Sequence, residues 1–150
     1  MTNAIQIGLT NLEIVPSTIP EDFPKTMAPF EYVHATAEQK AMHVYKAELD
    51  SPKGEPALVI AADTVVVSTF GEILEKPRNE KEHIAVLKSL RDSGWHKVYT
   101  AVVMMSPRED MQHPGYRTES HVEETAVRFD AAGTFSLDLW PYLFTGADNI

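Results

Sequence analysis

Apolar and polar residues alternate along this chain in blocks that separate strands from helices. Leu12–Val15 is a short apolar run that Pro16 stops, and it predicts a strand after a turn at Gly8. A proline-punctuated loop, Pro16–Pro29, follows and carries Glu21, Asp22 and Lys25. From Thr36 the period becomes helical. Thr36 is a candidate N-cap with Gln39 as its capping-box partner, and Ala37, Ala41, Val44 and Tyr45 trace a stripe toward an end near Leu49. In Ala57–Val67 (ALVIAADTVVV) the run before Asp63 is near-continuously apolar, as expected of a strand covered on both faces, with Asp63 at or near that strand's C-terminal end, where α/β sheets bind ligands, and Thr64–Ser68 continuing as a β-branched strand. Thr64–Leu74 predicts a hairpin turning at Phe70-Gly71, and Lys76-Pro77 marks the exit.

The second half repeats this grammar. Asn79–Arg91 predicts a helix, with Ile84, Leu87 and Leu90 on one face, Ala85 and Val86 widening it, and Gly94 beyond its last turn. Lys97–Met105 predicts a strand, Met111–Gly115 a loop, and His121–Phe129 an alternating strand. Phe135–Phe144 has the pattern of an amphipathic helix that Pro141 interrupts. The order of elements predicts one α/β domain, a mixed twisted sheet flanked by helices.

Composition narrows the function classes. One domain fits 150 residues of which 43% are hydrophobic. With 22 acidic against 13 basic residues the net charge is −9, which argues against bulk electrostatic binding of a nucleic acid polymer or an anionic membrane. The absence of cysteine excludes disulfides, thiol nucleophiles and Cys-based zinc sites. The start, MTNAIQIGLT, lacks the pattern of a secretory signal, and no apolar run reaches spanning length, so a cytoplasmic protein is expected.

The candidate chemistry lies in single polar residues at the ends of apolar elements. Asp63 inside an apolar run is costly to bury unless it is paired, so it reads either as a divalent-metal ligand or general base, or as a carboxylate tied to backbone amides. Lys76, held extended by Pro77, could meet a phosphate or be an ordinary loop lysine. Lys40 reads in isolation as a snorkelling helix lysine and Glu21 as a solvated carboxylate. His96, at a loop-to-strand junction, could orient a backbone turn or pair with a carboxylate, ahead of any catalytic role. The six histidines show no metal-ligand spacing, and Glu123 or Glu124 could pair with Lys97 or Arg128.

Taken together, AADTVV (Ala61–Val66), EKP (Glu75–Pro77), the helix with Leu87 and Leu90, HKVYTAV (His96–Val102) and VEETAVRF (Val122–Phe129) resemble the Maf family. Upstream, GLTNLEIVPS (Gly8–Ser17), Glu21 and ATAEQKA (Ala35–Ala41) are similar to it in order and spacing, with wording closest to a eukaryotic, fungal branch. The resemblance implies a fold related to inosine triphosphate pyrophosphatases, with a cleft between two lobes. It implies hydrolysis of a nucleoside triphosphate to the monophosphate and diphosphate with a divalent cation, Mg²⁺ or Mn²⁺, members differing in their preference for dTTP and UTP or for modified nucleotides. Carried over by motif, Asp63 would be proton acceptor and metal ligand, Glu21 a second metal ligand, and Lys40 and Lys76 phosphate contacts.

Two family segments have no counterpart here. The Ser-x-Ser-Pro-Arg-Arg loop is not found in Met1–Ile7, and the Lys-Ala-Gly-x-Tyr-Gly-x-Gln-Gly segment would begin where Gly146–Ile150 stands. The expectation is therefore a domain incomplete at both termini. That leaves open an alternative reading as a catalytically impaired nucleotide-binding or protein-interaction remnant, including a homodimer paired through exposed edges.

Overall fold

A computed structural model describes residues 8–74, 76–108 and 115–129. It has two helices and three strands in the order α1 (Pro29–Leu49), β1 (Val59–Val67), α2 (Glu80–Ser93), β2 (Trp95–Pro107) and β3 (Tyr116–Arg128). The class is α/β, and the described strands form one antiparallel sheet in the order β1-β2-β3. Glu75 of the EKP motif, most of the loop expected at Met111–Gly115, the amphipathic stretch Phe135–Phe144 and the two chain ends all lie outside the described residues.

Helix α1 begins seven residues before the expected cap. Pro29 opens it, where a missing N–H costs nothing, and Glu31 in the first turn and Lys46 in the last suit the helix dipole. Thr36 is not a cap. It lies fully buried in the helix interior, and its hydroxyl donates to the Tyr32 carbonyl at 2.8 Å, back-bonding to the preceding turn. The buried stripe of Tyr32, Val33, Thr36, Ala37, Ala41 and Tyr45 seats the helix on the sheet. Its alanines let the backbone approach closely at mid-helix. Tyr45 ends the stripe with its ring edge-on to Tyr116 at 5.8 Å and its hydroxyl donating to Glu55. Burial, reinforced by that carboxylate, pushes the Tyr45 hydroxyl up to about 12.

Strand alternation decides the rest of the core. Val59, Val65 and Val67 of β1 point to α1, as do Ala101, Val103 and Met105 of β2, and all six are buried. Alternate residues face the other way: Ile60, Val102 and Met104 are 45%, 37% and 42% exposed. The double-sided burial expected of the apolar run before Asp63 is therefore absent among the described residues, Leu58 being 42% exposed as well. An antiparallel sheet with one helix on it covers one face, whereas the apolar run suggested the two-sided cover of a parallel sheet. Asp63 is likewise not at a strand end. It is the fifth of nine residues in β1, paired with Ala101, because the β-branched residues after it continue the strand to Val67.

The hairpin expected at Thr64–Leu74 is present as a tight return, with Ile73 bridged to Val67 and the Leu74 N–H donating to the Val66 carbonyl at 2.8 Å. Gly71 turns it at a φ of 84°, a left-handed conformation that suits glycine. Helix α2 starts at the Asn79 cap, whose side chain accepts from the Glu82 N–H at 3.0 Å, and stops at Gly94 with φ of 84°. Leu90 of the expected stripe is buried, while Ile84, Val86 and Leu87 are half-buried and Ala85 is exposed. Leu12–Val15 forms no strand. Leu12 and Ile14 are 37% and 43% exposed, and the four-residue run meets no sheet edge among the described residues.

The two faces of the sheet should differ in cost. Met105→Ala, at a fully buried position, is expected to lose about 2–5 kcal/mol in urea denaturation, and Ile60→Ala on the open face less than about 1 kcal/mol. Equal losses would mean that the second face is covered.

Candidate active site

The four residues singled out in the sequence meet in one ion-pair network, although they come from four separate segments. Asp63 enters because the strand parity that buries Val59 and Val65 also aims its side chain at α1, leaving it 7% exposed. Lys40, one position before the buried Ala41, reaches down from α1. Its ammonium donates to Asp63 Oδ1 at 2.8 Å and lies 2.7 Å from Glu21 Oε1. Glu21 comes from the loop ahead of α1, which is held by the Phe23 ring edge-on to Tyr32 at 6.4 Å and by Lys25 over the Tyr32 ring at 4.1 Å. Lys76, just past the β1 hairpin, completes the set. Its ammonium lies 3.4 and 3.3 Å from Glu21 Oε1 and Oε2.

Burial grades the network from inside to outside. The Asp63 side chain is 6% exposed, Lys40 19%, Glu21 31% and Lys76 75%. The isolated readings of Lys40 as a snorkelling lysine and Glu21 as a solvated carboxylate give way to paired charges, because the loop folds back over the helix. Partial burial opposes the charge on Glu21, but hydrogen bonds and attraction from Lys40 and Lys76 outweigh it and hold the carboxyl below its ordinary value. Burial likewise opposes the charge on Lys40, and its bonds to Asp63 and Glu21 outweigh that and raise it.

The donor set also bears on a divalent cation. Glu21 and Asp63 supply hard carboxylate oxygens on either side of one ammonium. Among the described residues no group of three or more acidic or histidine side chains could by itself hold a metal. Two carboxylates fit an ion of the Mg²⁺ type, which keeps waters and takes much of its coordination from substrate phosphates.

Beside the network, a cavity of about 450 Å³ is lined by Leu74, Lys76, Pro77, Arg78, Glu82, Ala85 and Val86. Arg78 and Glu82 were not among the sequence candidates. The signal available was their place beside the Asn79 cap: the Glu82 carboxylate accepts the Arg78 N–H at 2.8 Å and anchors the cavity wall. His96 stands away from this network. It is 4% exposed near the start of β2, with its ring 5.0 Å from that of Phe129, a packing position. Lys97 pairs with Glu124 at 2.7 Å, one of the structural pairings expected for that strand.

Because Asp63 is nearly buried, removing its cation is costly. Lys40→Met is expected to lose about 3 kcal/mol at neutral pH in chemical denaturation, with part recovered by adding Asp63→Asn. The sign of the pH dependence follows from the two shifts. The lowered Glu21 value stabilises the fold above its ordinary 4.5 and is lost as pH falls through the lowered folded value. The raised Lys40 value stabilises below 10.5 and is lost as pH climbs through the raised one. The wild-type advantage over Lys40→Met should therefore be a plateau that declines on both sides; an advantage that does not change from acid to alkali would exclude the network as its source.

Comparison with known proteins bears on what this arrangement belongs to. A dTTP/UTP pyrophosphatase of Schizosaccharomyces pombe is 44% identical over 132 residues, covering 86% of this chain and 54% of that protein. One from Caldicellulosiruptor bescii is 39% identical over 144 residues, 88% of this chain and 70% of that protein. One from Halalkalibacterium halodurans is 40% identical over 113 residues, 75% and 51% respectively. The chain thus spans about half the length of two of these curated relatives. The Maf-like protein family itself matches residues 4–139, across α1, the sheet and the whole ion-pair network, and the chain belongs to that family.

Proposed function

We propose that this chain acts as a nucleoside triphosphate pyrophosphatase, hydrolysing a (d)NTP between its α- and β-phosphates to the (d)NMP and diphosphate. The observation that carries the reading is the convergence of Glu21, Lys40, Asp63 and Lys76, two carboxylates interleaved with two ammoniums. Those are the groups a triphosphate hydrolase needs: cations to bind the polyanion and a carboxylate to handle the proton of water.

Lys76 is the exposed cation and would meet the triphosphate first. Lys40, held charged by its two carboxylate partners, would contact the phosphates at the inner end. Asp63 gives Oδ1 to Lys40, which leaves Oδ2 to orient an attacking water and take its proton as the α–β bridge bond breaks. Its near-burial keeps the carboxylate in one orientation. Glu21 and Asp63 would hold a divalent cation, Mg²⁺ or Mn²⁺, which supplies charge neutralisation for the triphosphate when bound. The relatives' names make pyrimidine nucleotides the first substrates to test. Intracellular nucleotides as substrates also make the reading that of a cytoplasmic protein.

The test is diphosphate release from a panel of nucleoside triphosphates with Mg²⁺, comparing wild type with Asp63→Asn. The expected result is release fastest with dTTP or UTP, lowered about 10²–10⁴-fold in the variant with the fold retained. Undiminished turnover in Asp63→Asn would remove that residue from the reaction. Nucleotide binding by wild type without diphosphate release would favour the non-catalytic binding module instead.

A further inference from the structure

Glu21 holds a position that its role as a metal ligand does not explain. Its carboxylate faces two ammoniums at once, Oε1 at 2.7 Å from Lys40 and both oxygens at 3.3–3.4 Å from Lys76. A planar group with paired anionic oxygens between two lysines is in the place a phosphate group would take. A phosphate offers the same paired oxygens with more charge, so it meets both lysines at least as well. We propose that the Glu21 carboxylate is the internal occupant of the phosphate subsite that the Lys40 and Lys76 ammoniums form, and that it is displaced when a polyphosphate binds. The inference rests on the pyrophosphatase reading for the identity of the ligand, and it adds an exchange of partners at Glu21.

The burial gradient makes such an exchange feasible. Lys76 is 75% exposed, so its pairing with Glu21 is a solvated surface contact and easily broken. Lys40 does not become unpaired when Glu21 leaves, because it keeps Asp63 Oδ1 at 2.8 Å. Glu21 lies in a non-helical loop whose hydrophobic anchors, Phe23 and Met27, pack on the core independently of the carboxylate. The released carboxylate would then stand beside the bound phosphates, free of both lysines and available to a cation arriving with the substrate. Glu21 thus has opposite effects in the two states. It competes with the polyanion in the absence of metal and assists when a divalent cation is present.

That opposition separates the proposal from a merely structural Glu21. Binding of inorganic tripolyphosphate to the full chain, without divalent metal and with a chelator present, is measured by calorimetry for wild type, Glu21→Gln and Asp22→Asn. Asp22 is an exposed neighbouring carboxylate outside the network, so its variant makes the same charge change without freeing the lysines. Glu21→Gln should tighten tripolyphosphate about three- to tenfold, and Asp22→Asn much less. Adding Lys76→Gln should remove most of the gain. Equal tightening in both single variants would reduce the effect to net charge and overturn the subsite, as would unchanged or weaker binding in Glu21→Gln. The measurement needs no turnover. Displacement in this assay, together with no diphosphate release from any nucleotide when Mg²⁺ is supplied, would therefore refute the pyrophosphatase reading and leave the Glu21 displacement standing.

Discussion

A single ammonium, that of Lys40, sits between two carboxylates at the junction of the helix and the sheet, and the remaining structure is arranged around it. Asp63 is forced toward α1 by the same two-residue period that buries Val59, Val65 and Val67. A carboxylate in that position is tolerable only with a cation and hydrogen bonds close by. Lys40 meets the need because the α1 stripe places it one residue before the buried Ala41. Helix register, strand register and charge pairing are therefore one constraint: a shift of either element by one residue would strand the Asp63 charge or expose a valine.

The same constraint connects the fold to its chemistry. The loop ahead of α1 brings Glu21 to the other side of Lys40, and the short return after β1 brings Lys76 to Glu21. Charges alternate from the nearly buried Asp63 out to the solvated Lys76. The inner pair is nearly buried and the outer pair exposed. Under the proposed function, an anionic ligand approaching from solvent would meet the exposed Lys76 first and the Asp63 carboxylate last.

Much of this was legible in the chain because it depends on local signals. Asn79 and Gly94 bracket α2 through a side-chain cap and a left-handed φ, both readable from residue type. The Gly71 turn and the β-branched run before it announced the hairpin. Thr36 misled because Thr followed three residues later by Gln imitates a capping box, while Pro29, the actual first residue, read as the end of a proline-rich loop. Leu12–Val15 misled because a four-residue run with three apolar positions is a strand only where an edge receives it. The apolar run around Asp63 suggested two-sided burial, but apolarity does not say how many faces are covered.

By itself the sequence determined the main helices and strands, the α/β class and the family resemblance, since these depend on residue type, period and order, and that resemblance pointed to the four charged residues. The tertiary structure alone decided how those residues are used. That Lys40 joins Asp63 to Glu21, that Lys76 comes within 3.3 Å of Glu21, and that Asp63 lies in mid-strand all follow from packing α1 on one face of an antiparallel sheet. Pairing between residues 19 to 55 positions apart is set by where packed elements cross, and no local pattern encodes a crossing point.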